Sequence, residues 1–152
     1  MDKPHAIIAD ITRVGYADRE PPAEIRKIFD IVKKARDKAI AYIEKRYGNE
    51  PIEGRAVDRA AREIIEEEGY GAFFVHRLGH NIHETTHGPG AHNDSLETDE
   101  RRQLLSGSLC SIEPGIYLPN KFGVRLELNL YLDPNGNVRI TGGRQEEIVC
   151  IR

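Results

Sequence analysis

Two long stretches of the chain repeat apolar residues at helical spacing. Apolar side chains recur every three or four residues between positions 25 and 43 and again between 57 and 65. This spacing puts them on one face of a helix and leaves the charged residues between them on the other face. A Pro-Pro pair precedes the first stretch, and Gly48 and Gly69 follow the two stretches. These are typical helix boundaries, so the pattern predicts two amphipathic helices.

Shorter apolar runs predict strands. Residues 6–14 are rich in β-branched side chains and alternate only weakly, which predicts a strand buried on both faces. Three more runs predict strands, at residues 109–113, 124–132 and 147–151. Residues 124–132 alternate strictly, so Glu127 and Asn129 project from the polar face of that strand. A short helical turn is expected over 98–105, and the whole pattern predicts one α+β domain over residues 1–152.

Composition excludes several classes of protein. The 152 residues include 22 Lys and Arg against 25 Asp and Glu, giving a formal charge of −3, which does not favour a nucleic-acid partner. The apolar runs are too short to span a membrane, and the first residues do not resemble a secretion signal, so we expect a cytoplasmic protein. Cys110 and Cys150 have no ligand spacing and are predicted to be reduced packing residues.

Five of the six histidines lie between residues 71 and 94, among several glycines. His83, Glu84 and His87 match the zincin pattern H-E-x-x-H, in which two histidines on one helical face bind zinc. The segment is a poor helix, because two β-branched threonines lie inside the match and Gly-Pro-Gly follows it. A zincin-like protease therefore stays the weakest of the alternatives.

Four residues placed at or near predicted strands form a better constellation: Asp10, His80, Glu113 and Glu127. Three carboxylates and an imidazole make an oxygen-rich site for hard cations. Two divalent ions that share a carboxylate can activate a water and polarise a carbonyl, as metal-assisted amide hydrolysis requires. Residue type alone does not exclude that these residues bind no metal, since carboxylates on the polar face of a strand are commonly only solvated.

Longer motifs resemble those of the pita-bread metallopeptidases, in the prolidase and aminopeptidase P branch. They are ADITR at 9–13, FVHRLGH at 74–80, His87, SIEPGIYLP at 111–119 and FGVRLE at 122–127. Their order and spacing match over nearly the whole chain. The resemblance implies a pita-bread fold, with a curved antiparallel sheet and helices on its outer face. It also implies hydrolysis of the peptide bond before a proline at the second position of a peptide substrate.

The resemblance further implies a role for each matching position. Asp10, His80, Glu113 and Glu127 would bind two divalent ions (Mn, Co, Zn or Fe), with Asp10 and Glu127 as candidate bridges. Glu113 would accept a proton, and His87 would stabilise the oxyanion of the tetrahedral intermediate. His76 would lie near the substrate, and Arg125 would hold a ligand carboxylate. Relatives commonly form homodimers, so a homodimer is a further expectation.

The chain also departs from the family pattern. Asn81 and His83 replace two glycines of the usual Gly-His-Gly-Ile-Gly, and Leu128 stands where an Asp often follows the last ligand. The family's first Asp ligand has no counterpart, because Asp2 is too near Asp10 to return beside it. We therefore expect an amino-terminally incomplete fold with an incomplete first metal site. The chain alone is then either a weakened or inactive peptidase, or a noncatalytic module that binds peptides or proteins.

Overall fold

Both predicted helices are present in the computed structural model, which describes residues 3–151. Helix α1 (Ala23–Arg46) starts directly after the Pro-Pro pair, and α2 (Gly54–Glu67) is shorter. Their apolar stripes are buried against each other, with Ile28, Val32 and Val57 fully shielded from solvent. The helical spacing in the sequence is thus confirmed, because the residues that recur every three or four positions are the ones that pack together.

The strands of the described chain are short. In chain order they are β1 (Gly15–Tyr16), β2 (Asn81–Ile82), β3 (Leu109–Ile112), β4 (Gly115–Leu118), β5 (Phe122–Arg125), β6 (Leu128–Leu132), β7 (Val138–Thr141) and β8 (Val149–Cys150). The main sheet is antiparallel in the order β2-β3-β6-β7, β4 and β5 form a hairpin, and β1 pairs with β8 in parallel. Helix α1 packs on β3, β4 and β5. This is the expected α+β arrangement.

The predicted strand over 124–132 is divided into β5 and β6. Its alternation is confirmed on one side, since Leu126 and Leu128 are completely buried in the core shared with the helices. The break lies at Leu126 and Glu127, where the chain changes partners. The Leu126 N–H donates to the Pro114 carbonyl, and the Glu127 N–H donates to the Thr12 carbonyl. The division places Glu127 where the amino-terminal segment crosses the sheet.

Residues 6–14 do not form the predicted strand. They run as an irregular segment until β1, and Ile7, Ile8 and Ile11 are 53, 37 and 41% exposed rather than buried. The segment is held mainly by side chains: Asn129 accepts from the Asp10 N–H and donates to the Asp10 carbonyl. A β-branched composition indicates an extended chain but does not supply a neighbouring strand.

Two other expectations are corrected: residues 98–105 contain no helical turn, and Cys150 is exposed instead of packed. Strands β1, β2, β4 and β7 lie outside the predicted runs. Cys110 is buried as predicted, and burial raises the pKa of its thiol to about 11. Neither cysteine is in a disulfide. Among the described residues, no helix has the length and apolar character needed to cross a bilayer.

Candidate metal centre

The structure brings together the four residues that the sequence proposed as ligands. His80 Nε2 lies 3.3 Å from Glu113 Oε1 and 3.6 Å from Asp10 Oδ2. One ligand atom each from Asp10, His80 and Glu127 lies within 4.8 Å of the other two. His80, Glu113 and Glu127 are buried, and Asp10 is partly exposed. A compact group of three carboxylates and one imidazole therefore lies at the meeting point of four chain segments.

Local sequence explains how His80 reaches this point. Gly79 precedes it and pairs with Asn93 in an isolated bridge, with its backbone pressed against β3. A Cβ atom at Gly79 would lie 2.0 Å from the Ser111 carbonyl oxygen, so only glycine allows this approach. The His80 N–H then donates to Ser111 Oγ, and the Ser111 N–H donates back to the His80 carbonyl. The glycine thus seats the histidine beside β3.

The charges of the cluster are unevenly balanced. Burial acts to lower the pKa of His80, but the hydrogen bond and charge of Glu113 help to raise it overall. Burial acts to raise the pKa of Glu113, but His80, with help from the Ser111 hydroxyl and His76, lowers that pKa overall. For Glu127, burial is the main reason for a raised pKa, and the Glu113 and Asp10 carboxylates add to it. Three acids and one base leave a surplus of negative charge.

Two observations fit a bound cation. Glu127 Oε1 is buried and has no hydrogen-bond partner among residues 3–151, which is costly unless a positively charged group lies beside it. His80 Nδ1 lies 3.2 Å from the Asn81 carbonyl oxygen, so the tautomer with a proton on Nδ1 leaves the Nε2 lone pair facing the carboxylates. The donor set is that of a hard divalent ion.

A layer of hydroxyl and guanidinium groups orients the carboxylates. Thr12 Oγ1 donates to Glu127 Oε2 over 2.5 Å, and Ser111 Oγ donates to Glu113 Oε1 over 3.0 Å. Arg125 Nε donates to Thr12 Oγ1, and its Nη1 lies 3.8 Å from Glu113 Oε2. The sequence prediction placed Arg125 near a ligand carboxylate but missed both hydroxyls. Their signal was spacing, since each lies two residues from a ligand on an extended chain.

His76 faces Tyr117, a residue that the sequence analysis did not single out. His76 Nε2 and the Tyr117 hydroxyl are 2.8 Å apart, and the two rings lie at 5.4 Å. Gly115 and Gly123 flank the tyrosine, and a Cβ at either would lie within 2.7 Å of it. The two glycines of the hairpin thus make room for the ring. Tyr117 belongs to the same SIEPGIYLP motif as Glu113, so this motif could have identified it as a candidate site residue.

His87 lies beside the cluster on an exposed loop. Its ring is 4.4 Å from the His80 ring, in an edge-to-face arrangement. Asn81 holds this loop: its carbonyl accepts from the Gly88 N–H, its Oδ1 accepts from the Gly90 N–H, and its Nδ2 donates to the Leu109 carbonyl. The asparagine that replaces a family glycine is therefore part of the loop's anchor.

The zincin alternative fails on geometry. Strand β2 ends at Ile82, and residues 83–87 form a series of bends with exposed side chains, where the motif needs a helix. His83 and His87 therefore do not share a helical face. Asp2, the other residue considered as a ligand, lies outside the described residues.

Fold and site together define a metallopeptidase-like protein, and comparison with known proteins agrees. The chain belongs to metallopeptidase family M24, whose sequence profile matches residues 4–134. It is 34% identical to the Xaa-Pro dipeptidase of Pyrococcus furiosus over 139 residues, which is 91% of this chain and 37% of that protein. It is 36% identical to an uncharacterised peptidase of Staphylococcus saprophyticus, over 80% of this chain and 32% of that protein.

Solved structures show the same fold. The X-Pro aminopeptidase of Thermotoga maritima superposes with a TM-score of 0.80 at 32% identity, over 95% of this chain and 38% of that chain. The prolidase of Pyrococcus furiosus gives a TM-score of 0.75 at 30% identity, over 92% of this chain and 38% of that chain. The pita-bread fold is confirmed. The chain spans about a third of the length of the curated relatives it matches.

Proposed function

We propose that this chain carries metal ligands and catalytic groups of a peptidase that hydrolyses the bond between a first residue and a proline. The observation that carries the proposal is the cluster of Asp10, His80 and Glu127, with one buried oxygen of Glu127 left without a partner. The names of the Xaa-Pro dipeptidase and X-Pro aminopeptidase relatives support the substrate class.

Four residues would hold the metal: Asp10, His80, Glu113 and Glu127. When bound there, divalent ions would supply Lewis acidity and would lower the pKa of a coordinated water, which is the chemistry that amide hydrolysis needs. Manganese, cobalt, zinc and iron all suit the donor set, and manganese is the first to test.

Glu113 is placed to accept a proton. Its lowered pKa keeps it ionised at neutral pH, and its two oxygens face different neighbours. Oε1 accepts a hydrogen bond from the Ser111 hydroxyl and faces His80, while Oε2 faces the Arg125 guanidinium. These contacts fix the plane of the carboxylate, so that a proton released during attack has a defined acceptor.

His87 and His76 would act on the substrate. The exposed His87 ring can donate an N–H to the carbonyl oxygen as negative charge develops there. Tyr117, the hydrogen-bond partner of His76, lines a groove together with Phe73, Val75 and Leu118. An apolar groove beside two hydrogen-bonding groups suits a short peptide with a prolyl ring.

The proposal also retains expectations about the protein's setting. We propose a cytoplasmic homodimer in which residues 1–152 form one pita-bread domain, with peptides rather than nucleic acids or membranes as partners. Sedimentation velocity measures the oligomeric state directly, and a monomer at micromolar concentration would remove the homodimer from the proposal.

Titration calorimetry with Mn²⁺ and hydrolysis of alanyl-proline test the function. Wild type is expected to bind Mn²⁺ and to release alanine and proline, while His80→Ala loses both activities. His83→Ala is the matched control, since it removes a nearby histidine from outside the cluster, and it is expected to behave as wild type. Binding without hydrolysis would favour the noncatalytic binding module. Absence of Mn²⁺ binding to wild type would contradict the proposed metal site.

A further inference from the structure

A buried ion pair on α2 lies outside the candidate metal centre. Asp58 and Arg62 are one helical turn apart, 0 and 9% exposed. Arg62 Nε donates to Asp58 Oδ2 over 2.8 Å, and Nη2 donates to Oδ1 over 3.1 Å. The Nε and Nη2 groups on one edge of the guanidinium therefore bind the carboxylate in a bidentate manner.

Asp58 Oδ2 also accepts the Ser95 hydroxyl, and the other hydrogen bonds of this pair go to the backbone that leads to His80. Arg62 Nη1 donates to the Phe74 carbonyl and Nη2 to the His76 carbonyl, each over 2.9 Å. Asp58 Oδ1 accepts the Leu78 N–H over 2.7 Å. The guanidinium also lies 4.1 Å from the centre of the Phe74 ring. One ion pair thus fixes every second residue of the segment 74–78.

The same segment is joined to β3 on its other side. The Leu78 carbonyl accepts the Glu113 N–H over 2.8 Å, and the next ligand, His80, exchanges bonds with Ser111. The His76 side chain meanwhile reaches Tyr117. Segment 74–78, which carries His76 and leads to His80, is therefore held between α2 and the end of β3, directly before Glu113.

Energetics argue for a geometric role. Removing two charges from water is costly, and apolar replacements of buried ion pairs are often neutral or stabilising. Here the charges also satisfy three backbone groups that would otherwise be buried without partners. The planar guanidinium of arginine can donate to two carbonyls and a carboxylate at the same time, whereas the ammonium of lysine is one compact group that cannot reach all three.

We propose that Asp58 and Arg62 are positioning residues that set the places of His76 and His80 relative to Glu113. The role in catalysis rests on the proposed function, but the placement of the two imidazoles does not. Neither residue hydrogen-bonds to a proposed ligand side chain, so both act through the backbone of segment 74–78.

Three variants separate positioning from general stability. Arg62→Lys keeps the positive charge but loses the planar set of N–H donors. Asp58→Asn keeps an acceptor for the Leu78 N–H but loses the negative charge. Ile65→Ala is the matched control, because Ile65 is fully buried on the same helix without a polar role. Urea denaturation ranks the stability of the three, and Asp58→Asn serves if Arg62→Lys does not fold.

The readouts are the imidazole cross-peaks of His76 and His80 in metal-free protein and the Mn²⁺ dissociation constant. The positioning variants are expected to shift both sets of cross-peaks and to raise the dissociation constant about tenfold. Ile65→Ala should lose stability yet leave the cross-peaks in place and the dissociation constant within about twofold, on the ordinary scale of core truncations that touch no site.

Two results would overturn the inference. One is unshifted imidazole cross-peaks in both positioning variants, and the other is an equal shift in Ile65→Ala at the same loss of stability. If wild type binds no Mn²⁺, the proposed function fails, but the cross-peaks of the metal-free protein still decide whether the ion pair positions the two histidines.

Discussion

At the scale of one residue, Glu127 is a buried carboxylate of the candidate metal centre that lowers the stability of the metal-free fold. Its carboxylate is almost completely buried, one oxygen has no partner, and two more acids lie nearby. Burial first and these acids second raise its pKa above the ordinary value of 4.5, against the Thr12 hydrogen bond. Between the ordinary pKa and the raised one, the folded state therefore holds a proton that the unfolded state has lost. Stability of the metal-free protein falls as pH rises from that ordinary value.

Replacing this carboxylate is expected to stabilise the metal-free protein while abolishing metal binding. At pH 7 Glu127→Gln should raise the unfolding free energy by about 1 kcal/mol, or the melting temperature by about 2–4 °C. The gain should disappear below about pH 4, where wild type is also neutral. Calorimetry in EDTA across this range measures it, with Glu67→Gln on an exposed helix face as control. A wild type more stable than the variant at pH 7 would contradict the assignment.

Asn81 illustrates a residue whose role the family pattern did not reveal. Asn81→Gly restores the family's glycine but removes side-chain bonds to the Gly90 N–H and the Leu109 carbonyl. We expect a loss of about 1–3 kcal/mol and faster amide exchange across residues 83–90, which carry His87. Hydrogen-exchange mass spectrometry measures the loop, with Asn49→Gly in an exposed turn as control. Unchanged exchange at Gly88 and Gly90 would show that Asn81 does not anchor it.

At the scale of elements, local periodicity predicted α1 and α2, but not what caps them. The first N–H groups of α2, at Gly54 and Arg55, donate to the carbonyls of Arg102 and Glu100. The segment predicted as a helical turn over 98–105 thus serves the start of a helix far away in sequence. The backbone carbonyls of this segment bind another element, and no local sequence pattern predicts such a long-range hydrogen bond.

Gly54 also allows a second segment, at His92, to approach the start of α2. In an ordinary helix Gly→Ala is stabilising, but here the new Cβ would lie 1.8 Å from the His92 carbonyl oxygen. Gly54→Ala is expected to cost about 1–3 kcal/mol. Urea unfolding followed by circular dichroism measures this cost, and Arg59→Ala on the exposed side of α2 should change stability by less than about 0.5 kcal/mol. A stabilised Gly54→Ala protein would show that α2 does not start against this segment.

At the scale of the whole molecule, the amino-terminal segment depends on residues from the far end of the chain. Gln145 is buried, accepts the Val14 N–H and donates to the carbonyls of Val14 and Glu147. Arg13 also donates to the carbonyls of Gly142 and Gly143. These bonds take the place of the buried strand that the sequence predicted, and they hold the segment that carries Asp10.

Loss of Gln145 should therefore reach the metal centre. Gln145→Ala is expected to cost about 1–3 kcal/mol, to speed amide exchange over residues 10–16 and to weaken Mn²⁺ binding. Exchange and titration calorimetry on the same sample measure both effects. Gln103→Ala, an exposed glutamine on another segment, is the control. Equal exchange rates in wild type and Gln145→Ala would exclude this tether.

The sequence by itself determined the two helices, the alternation around Glu127 and the four candidate ligands, because period and motif are local properties of a chain. The same local view failed for residues 6–14, for 98–105 and for Cys150, where the partner of the backbone decides the structure. Only the tertiary structure brought Asp10, His80 and Glu127 within a few ångströms and left one carboxylate oxygen without a partner. It also revealed Thr12, Ser111 and the Asp58–Arg62 pair, since hydrogen bonds between distant segments leave no periodic signal in the sequence.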